Sequence, residues 1–201
     1  DPTCRRVCDV GAGLSAASSW IAERGATEVV AVEPKARSAQ AGRSLFPDLP
    51  VVVGAAEALP LRAGSVDGVT MLGLLSLIAD LDATIGEALR VVRHGGVVGV
   101  TDLCAVSEGR RRDGPAGNEF RTVDALAAAL TRLGADVVSV WTAPGDLATS
   151  WDEPGERVAT AMGAAHGTDE GFGAWRDDQA RLHEAIDSGD LHIATLVAER
   201  R

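Results

Sequence analysis

With 201 residues and 46% apolar content, the chain fits one domain with a full core more comfortably than two. Its formal charge of −10, from 19 Lys and Arg against 29 Asp and Glu, repels phosphate backbones and argues against a nucleic-acid partner. The longest apolar stretch, Val69 to Ala79, is broken by Thr70, Gly73 and Ser76, well short of the ~20 residues that cross a bilayer.

The cysteines, Cys4, Cys8 and Cys104, include no Cys-x-x-Cys pair, so neither a disulfide framework nor a metal site is expected, and a reducing, cytoplasmic location follows. Cys8, inside a strand pattern, reads as a small core residue. The basic run Arg110-Arg111-Arg112 reads as a solvated loop. No signal peptide is visible, and the chain opens on Asp rather than Met, so an N-terminal cap is expected to be missing from it.

In chain order, Arg6 to Val10 predicts a buried strand and Ser15 to Arg24 a helix ended by Gly25. Glu28 to Val32 predicts the next strand, and Lys35 to Leu45 a helix stopped by Pro47. Val51 to Val53 and Val66 to Leu72 read as strands. Asp82 to Val92 places Ile85, Leu89 and Val92 at helical spacing and closes on His94-Gly95-Gly96, a helix-stop signal. Val97 to Leu103 lacks alternation and predicts a strand buried on both faces. Thr122 is placed to cap a helix through Leu133; Asp136 to Thr142 and His192 to Ala198 are the last strands. Strands separated by helices of this length imply βαβ units and a parallel sheet.

Between the last two strands, Ala143 to Asp190 breaks the rhythm with two helical patterns, Glu156 to Ala165 and Phe172 to Ser188. Phe172, Trp175, Gln179, Leu182 and Ile186 share one helical face, which either packs on the sheet or covers a ligand pocket.

The stretch Val7-Cys8-Asp9-Val10-Gly11-Ala12-Gly13 joins the first strand to the first helix. In a doubly wound sheet, that turn lies at the carboxyl edge, where ligands bind. A glycine pair alone is weak evidence, since such turns also occur with nothing bound. Glu33 ends the second strand, ~20 residues on, where an acid can accept hydrogen bonds from ribose hydroxyls. Gly11-Ala12-Gly13-Leu14-Ser15-Ala16 formally satisfies a dinucleotide pattern. A pyrophosphate over the turn, however, would sit above the carboxylate of Asp9; a cationic nucleoside without phosphates suits it.

With these residues, the chain resembles the class I S-adenosylmethionine-dependent methyltransferases, in the type 11-like group that methylates small molecules. Asp9-Val10-Gly11-Ala12-Gly13 resembles the family's first motif and Glu33-Pro34 its ribose-binding acid. Glu57-Ala58-Leu59-Pro60-Leu61 with Gly64-Ser65-Val66-Asp67 resembles the segment leading past adenine into the fourth strand. Glu87-Ala88-Leu89-Arg90-Val91-Val92-Arg93-His94-Gly95-Gly96 resembles the helix and turn before the fifth. The resemblance implies an α/β, Rossmann-like doubly wound sheet of seven strands, order 3-2-1-4-5-7-6, with the last strand antiparallel. It implies a single domain over residues 1–201 with a helical insert at 143–190. It implies S-adenosylmethionine as cofactor, with contacts at Asp9, Gly11, Ala12, Gly13, Glu33, Pro34, Ala56, Glu57, Leu72 and Gly73.

Three departures stand out. Ser15 replaces a third glycine and is expected to cap the helix instead; Ala55 stands where an adenine-binding Asp is frequent; Ser76-Leu77 replaces a frequent His pair. No general base is evident. Asp102, His166 and His183 are weak catalytic candidates, and Cys104 shares the carboxyl end of the fifth strand with Asp102. His94 is expected as a helix C-cap residue, and Trp20 and Trp141 as core, while Trp151 and Trp175 lie in the insert.

The expected function is methyl transfer to N, O or C of a small molecule, in secondary metabolism, with a homodimer or covering partner chain left open. A methyltransferase-like fold used for cyclisation, rearrangement or a non-catalytic partner role is the alternative. A nicotinamide-dependent oxidoreductase ranks last.

Overall fold

A computed structural model of the chain describes residues 5–107, 117–143 and 152–201. Cys4, the run Arg110-Arg111-Arg112 and Trp151 lie outside the described residues. The first half alternates β1 (Arg6–Val10), α1 (Ala16–Glu23), β2 (Glu28–Glu33), α2 (Ala36–Leu45), β3 (Val51–Val53) and β4 (Val66–Leu72). A 3-10 turn at Leu75–Leu77 leads to α3 (Leu81–Val91), β5 (Val92–Ala105), α4 (Val123–Arg132) and β6 (Ala135–Thr142). Two further helices, α5 (Asp152–His166) and α6 (Glu170–Asp187), precede β7 (Leu191–Arg200).

The strands form one seven-stranded sheet in the order β3-β2-β1-β4-β5-β7-β6. All pairs are parallel except those of β7, which runs antiparallel to both β5 and β6. The expected order and the antiparallel last strand are what the chain adopts. Parallel pairing brings the carboxyl ends of β1, β2, β4 and β5 to one edge, and the turns after those strands carry the site.

Core residues come from alternate positions of the central strands. Val69 and Met71 of β4, Val98 and Val100 of β5 and Leu196 of β7 pack against Ile85 and Leu89 of α3 and Leu126 and Leu130 of α4. The helix starts follow their capping residues. Asp80 accepts from the Ala83 amide at 2.9 Å, and Thr122 accepts from the Ala125 amide at 3.1 Å, each satisfying a donor that the first turn leaves open.

Four local expectations are corrected. The third helix stops at Val91, and β5 begins at once with Val92. Gly95, at φ 68°, falls within the register shift between Val66 and Gly68 of the neighbouring strand. His94 is therefore not a helix C-cap; its Nδ1 lies 2.6 Å from the carbonyl of Arg201. Nor is β5 buried on both faces: Val98, Val100 and Cys104 are buried, while Val97, Gly99, Thr101 and Leu103 on the other face are half-buried.

Trp20 and Trp141 are not core residues, at 54% and 51% exposed. Trp20 stands on the outer face of α1 with the Arg24 guanidinium 4.3 Å from its ring centroid, a cation–π contact that needs no burial. Trp141 lies on the terminal strand of the sheet, half exposed. Finally, Ser15 is the N-cap residue of α1 but makes no side-chain cap bond. Its φ of 66° turns the hydroxyl toward α2, where Gly42 leaves room for it: a Cβ on Gly42 would come 2.7 Å from the Ser15 Oγ.

Candidate active site

The glycine turn uses its own amides. Those of Gly11 and Ala12 donate to the Val32 carbonyl at 2.9 and 3.1 Å, and that of Ser15 donates to the Ala12 carbonyl at 2.7 Å. The Gly13 amide donates to Glu33 Oε2 at 2.9 Å, while Glu33 Oε1 accepts from the Lys35 amide at 3.0 Å. A phosphate-binding turn needs such donors free to point at the ligand. Here those of Gly11, Ala12 and Gly13 are drawn to the end of β2, the last of them by a carboxylate.

The two glycines have different work. A Cβ at Gly11 would lie 2.7 Å from Leu74 Cδ1, so this position admits the side chain that follows β4. At Gly13 nothing lies within 4 Å of where a Cβ would be. Both have left-handed φ, 73° and 56°, which glycine adopts without penalty. Only Gly13 leaves open space.

Asp9 is 1% exposed, directly behind this turn. Its Oδ2 accepts from the Ser18 hydroxyl at 2.6 Å and its Oδ1 from the Thr70 hydroxyl at 2.9 Å. Burial pushes the carboxyl pKa up, and the two hydroxyl bonds oppose that rise. Asp9 thus ties α1 and β4 to β1, and its ligands are neutral. Glu33, 5% exposed, is likewise held by amides. Two carboxylates bracket the turn with no cation among these partners.

Pro34 follows Glu33 into α2. Ala56 is buried, whereas Ala55 and Glu57 are exposed in a tight turn closed by an Ala55–Ala58 bridge. The turn is anchored from below by α3, a link that sequence reasoning missed. Glu87 Oε2 accepts from the Leu59 amide at 2.7 Å, and Arg90 donates to the Leu59 and Leu61 carbonyls at 3.0 and 2.9 Å. Glu87 and Arg90 also pair with each other at 2.6 Å, which holds the Glu87 carboxyl below its usual range. Two of the motifs recognised separately in the sequence are therefore one physical clamp.

Leu72 ends β4 and Gly73 follows it; Leu72 is 38% exposed and the Gly73 amide donates to the Thr101 carbonyl at 2.7 Å. The following turn is fixed from three sides. Asp102 Oδ2 accepts from the Ser76 amide at 3.0 Å, the Glu119 amide donates to the Ser76 carbonyl at 2.7 Å, and Arg121 donates to the Leu75 and Ile78 carbonyls at 2.7 and 3.0 Å. Asp102 Oδ1 accepts from the Leu103 amide at 2.8 Å. Its carboxylate is thus engaged with loop amides. Cys104 is fully buried, and burial with the Asp102 charge pushes its thiol up to about 12.

The two histidine candidates lie on the insert helices and bond within them or to the turn between them. His166 is exposed at the end of α5 with Nδ1 2.9 Å from Asp169, and His183 is exposed on α6 with Nδ1 2.8 Å from the Gln179 carbonyl. The α6 face divides: Leu182 and Ile186 pack with Phe120, Leu191 and Ala105, while Phe172 stacks on Trp175 at a centroid distance of 5.6 Å. A groove of about 540 Å³ lined by Glu23, Phe46 and Pro50 lies at the amino edge of β2, across the sheet from the glycine turn. No cluster of potential metal ligands occurs among the described residues.

Residues 8–100 match the family model of the methyltransferase domain. An uncharacterized methyltransferase of Mycobacterium tuberculosis (strain ATCC 25618 / H37Rv) is 36% identical over 96 residues, which make up 48% of this chain and 39% of that protein. The matched chain thus spans well under half the length of that relative. Among solved structures, the 4+2 cyclase SpnF aligns over 98% of this chain and 74% of its own, with TM-score 0.81 and 21% identity. Phosphoethanolamine N-methyltransferase 2 of Haemonchus contortus, in complex with S-adenosylmethionine, aligns over 98% of this chain and 49% of its own, with TM-score 0.79 and 15% identity. Residues 8–100 are similar to the methyltransferase domain, and the chain has the fold of the class I S-adenosylmethionine-dependent methyltransferases.

Proposed function

We propose that this chain binds S-adenosylmethionine over the Gly11–Gly13 turn and transfers its methyl group to a small-molecule acceptor. The observation that carries the reading is the Gly13 amide given to Glu33. The amides of Gly11, Ala12 and Gly13 are already engaged by the end of β2, and the Glu33 carboxylate beside them suits a ribose and a cationic sulfur arm better than a pyrophosphate.

Glu33 would hold the ribose hydroxyls, since a carboxylate oxygen bonded to one amide retains a further lone pair to accept with. Gly13 leaves the space beside it, and Leu72 and Gly73 offer an apolar wall and a backbone edge. Asp9 acts from behind through its charge and by fixing α1. The cofactor supplies an electrophilic methyl group on a good leaving group, so the protein's task is to align an acceptor ~3 Å from it and exclude water. The Leu74–Ile78 turn, clamped by Asp102 and Arg121, is the rigid element beside that position.

With Asp102 engaged by amides, an acceptor already carrying a nucleophilic lone pair, such as an unprotonated amine, fits this edge better than one needing a general base. The same engagement favours the second reading, a cofactor-holding fold that promotes cyclisation or rearrangement of its substrate without transfer.

Mass spectrometry of small molecules that co-purify, followed by S-adenosylhomocysteine release over an acceptor panel, tests the choice. Release with any acceptor establishes transfer. Bound cofactor that is never consumed while a substrate is converted establishes the second reading.

A further inference from the structure

The segment from Gly54 to Leu61 joins β3 to β4 and is fixed at both ends. At its start, the Gly54 amide donates to the Glu33 carbonyl at 3.3 Å, and Pro60 Cδ lies 2.8 Å from where a Gly54 Cβ would be. At its far end, Leu59 is held from both sides of its backbone. Its amide donates to Glu87 Oε2 at 2.7 Å, and its carbonyl accepts from Arg90 at 3.0 Å. The same guanidinium reaches the Leu61 carbonyl and the Glu87 carboxylate. A planar fork of this kind fixes orientation as well as distance.

Between the two anchors lie Ala55, Ala56 and Glu57. The first two carry only methyl groups, and Glu57 is exposed. Ala56 is 5% exposed, yet its amide, like those of Ala55 and Glu57, gives no hydrogen bond among the described residues. Buried backbone donors are ordinarily paired, so this short stretch keeps backbone groups for a ligand next to Glu33.

We propose, resting on the cofactor reading above, that Glu87 and Arg90 are positioning residues for the nucleobase end of the cofactor. They touch no ligand; they set the backbone of Ala55 to Glu57 against the base. Where alanine side chains supply no polar group, base recognition falls to the backbone, and a hydrogen bond weakens steeply once its distance or angle leaves a narrow range. Loosening the clamp therefore weakens discrimination between bases without removing any group that meets them.

Competition titrations with S-adenosylhomocysteine and S-inosylhomocysteine, which differ at the 6-position of the base, provide the test. They are run on the wild type, Arg90→Ala, Arg90→Lys and Glu87→Gln, with circular dichroism and urea melts to establish that each is folded. The wild type is expected to prefer the adenine ligand by about 10-fold or more, and Arg90→Ala to reduce that preference to about 3-fold or less. Arg90→Lys, a point charge without the fork, and Glu87→Gln, whose amide oxygen still accepts from Leu59, should keep an intermediate preference. If Arg90→Ala does not fold, these two variants carry the same comparison. A general loosening lowers both affinities alike and leaves their ratio at the wild-type value; that result overturns the proposal, as does a wild type that binds the two ligands equally. A folded wild type that binds neither contradicts the cofactor reading itself, and the proposal with it.

Discussion

Glu33 and Gly13, twenty positions apart, are joined by a 2.9 Å hydrogen bond from the glycine amide to the Glu33 carboxylate. The bond couples the two halves of the site: the acid that ends β2 shapes the turn that follows β1. Glu33→Ala should therefore both remove a ribose acceptor and free the Gly13 amide. S-adenosylhomocysteine affinity is expected to fall by at least ~10-fold, about 1.4 kcal/mol, and Glu33→Gln, which keeps one acceptor oxygen, should lose less. Titration calorimetry on the three proteins checks the order.

Gly11 and Gly13 should respond differently to alanine. At Gly11 the new methyl meets Leu74 at 2.7 Å in addition to a left-handed φ, so Gly11→Ala should cost about 2 kcal/mol of stability. At Gly13 only the φ penalty applies, about 1 kcal/mol, but the methyl enters the open space over the turn. Urea melts should rank Gly11→Ala as less stable, and cofactor titrations should show the larger affinity loss per unit of stability in Gly13→Ala.

Ser15 combines a left-handed φ of 66° with a buried hydroxyl that has no hydrogen-bond partner. Ser15→Gly relieves both and should stabilise the chain by about 1 kcal/mol. The denaturant midpoint should rise with an unchanged slope. A fall would mean that the hydroxyl contributes something its surroundings do not reveal.

The sequence made the sheet legible because buried strands and turn residues follow local rules: apolar runs at β1, β2 and β4, glycines where φ is positive, and a capping side chain at Thr122. The motif positions at Gly13 and Glu33 converge for the same reason, since parallel strands bring their ends to one edge. What it could not show were the partners across the sheet. Asp9 reads as a free charge until Ser18 and Thr70 are seen on its two oxygens. Trp20 and Trp141 look like core because tryptophan is large and apolar, but helix face and sheet edge, which are tertiary facts, put both outside. Ser15 reads as a capping side chain because serine commonly is one; it holds the N-cap position, but its hydroxyl makes no cap bond.

Asp9 provides a pH prediction whose sign follows from its elevated pKa. A carboxyl whose folded-state pKa lies above its unfolded value stabilises the fold below the unfolded pKa, and that contribution is lost as pH rises through the folded pKa. Wild-type stability should therefore decline over that interval, and Asp9→Asn should flatten the decline because asparagine is neutral throughout. The same variant should bind S-adenosylmethionine less well, with a smaller loss for the uncharged sulfur of S-adenosylhomocysteine. Denaturant melts across pH and paired titrations measure the two effects separately.

The central claim is most directly met by titrating the folded chain with S-adenosylhomocysteine and, in parallel, with a nicotinamide dinucleotide. Saturable heat with the first, lost in Glu33→Ala, and none with the second is the predicted result. Saturation by the dinucleotide, or silence toward S-adenosylhomocysteine from a chain whose circular dichroism shows it folded, would contradict the account.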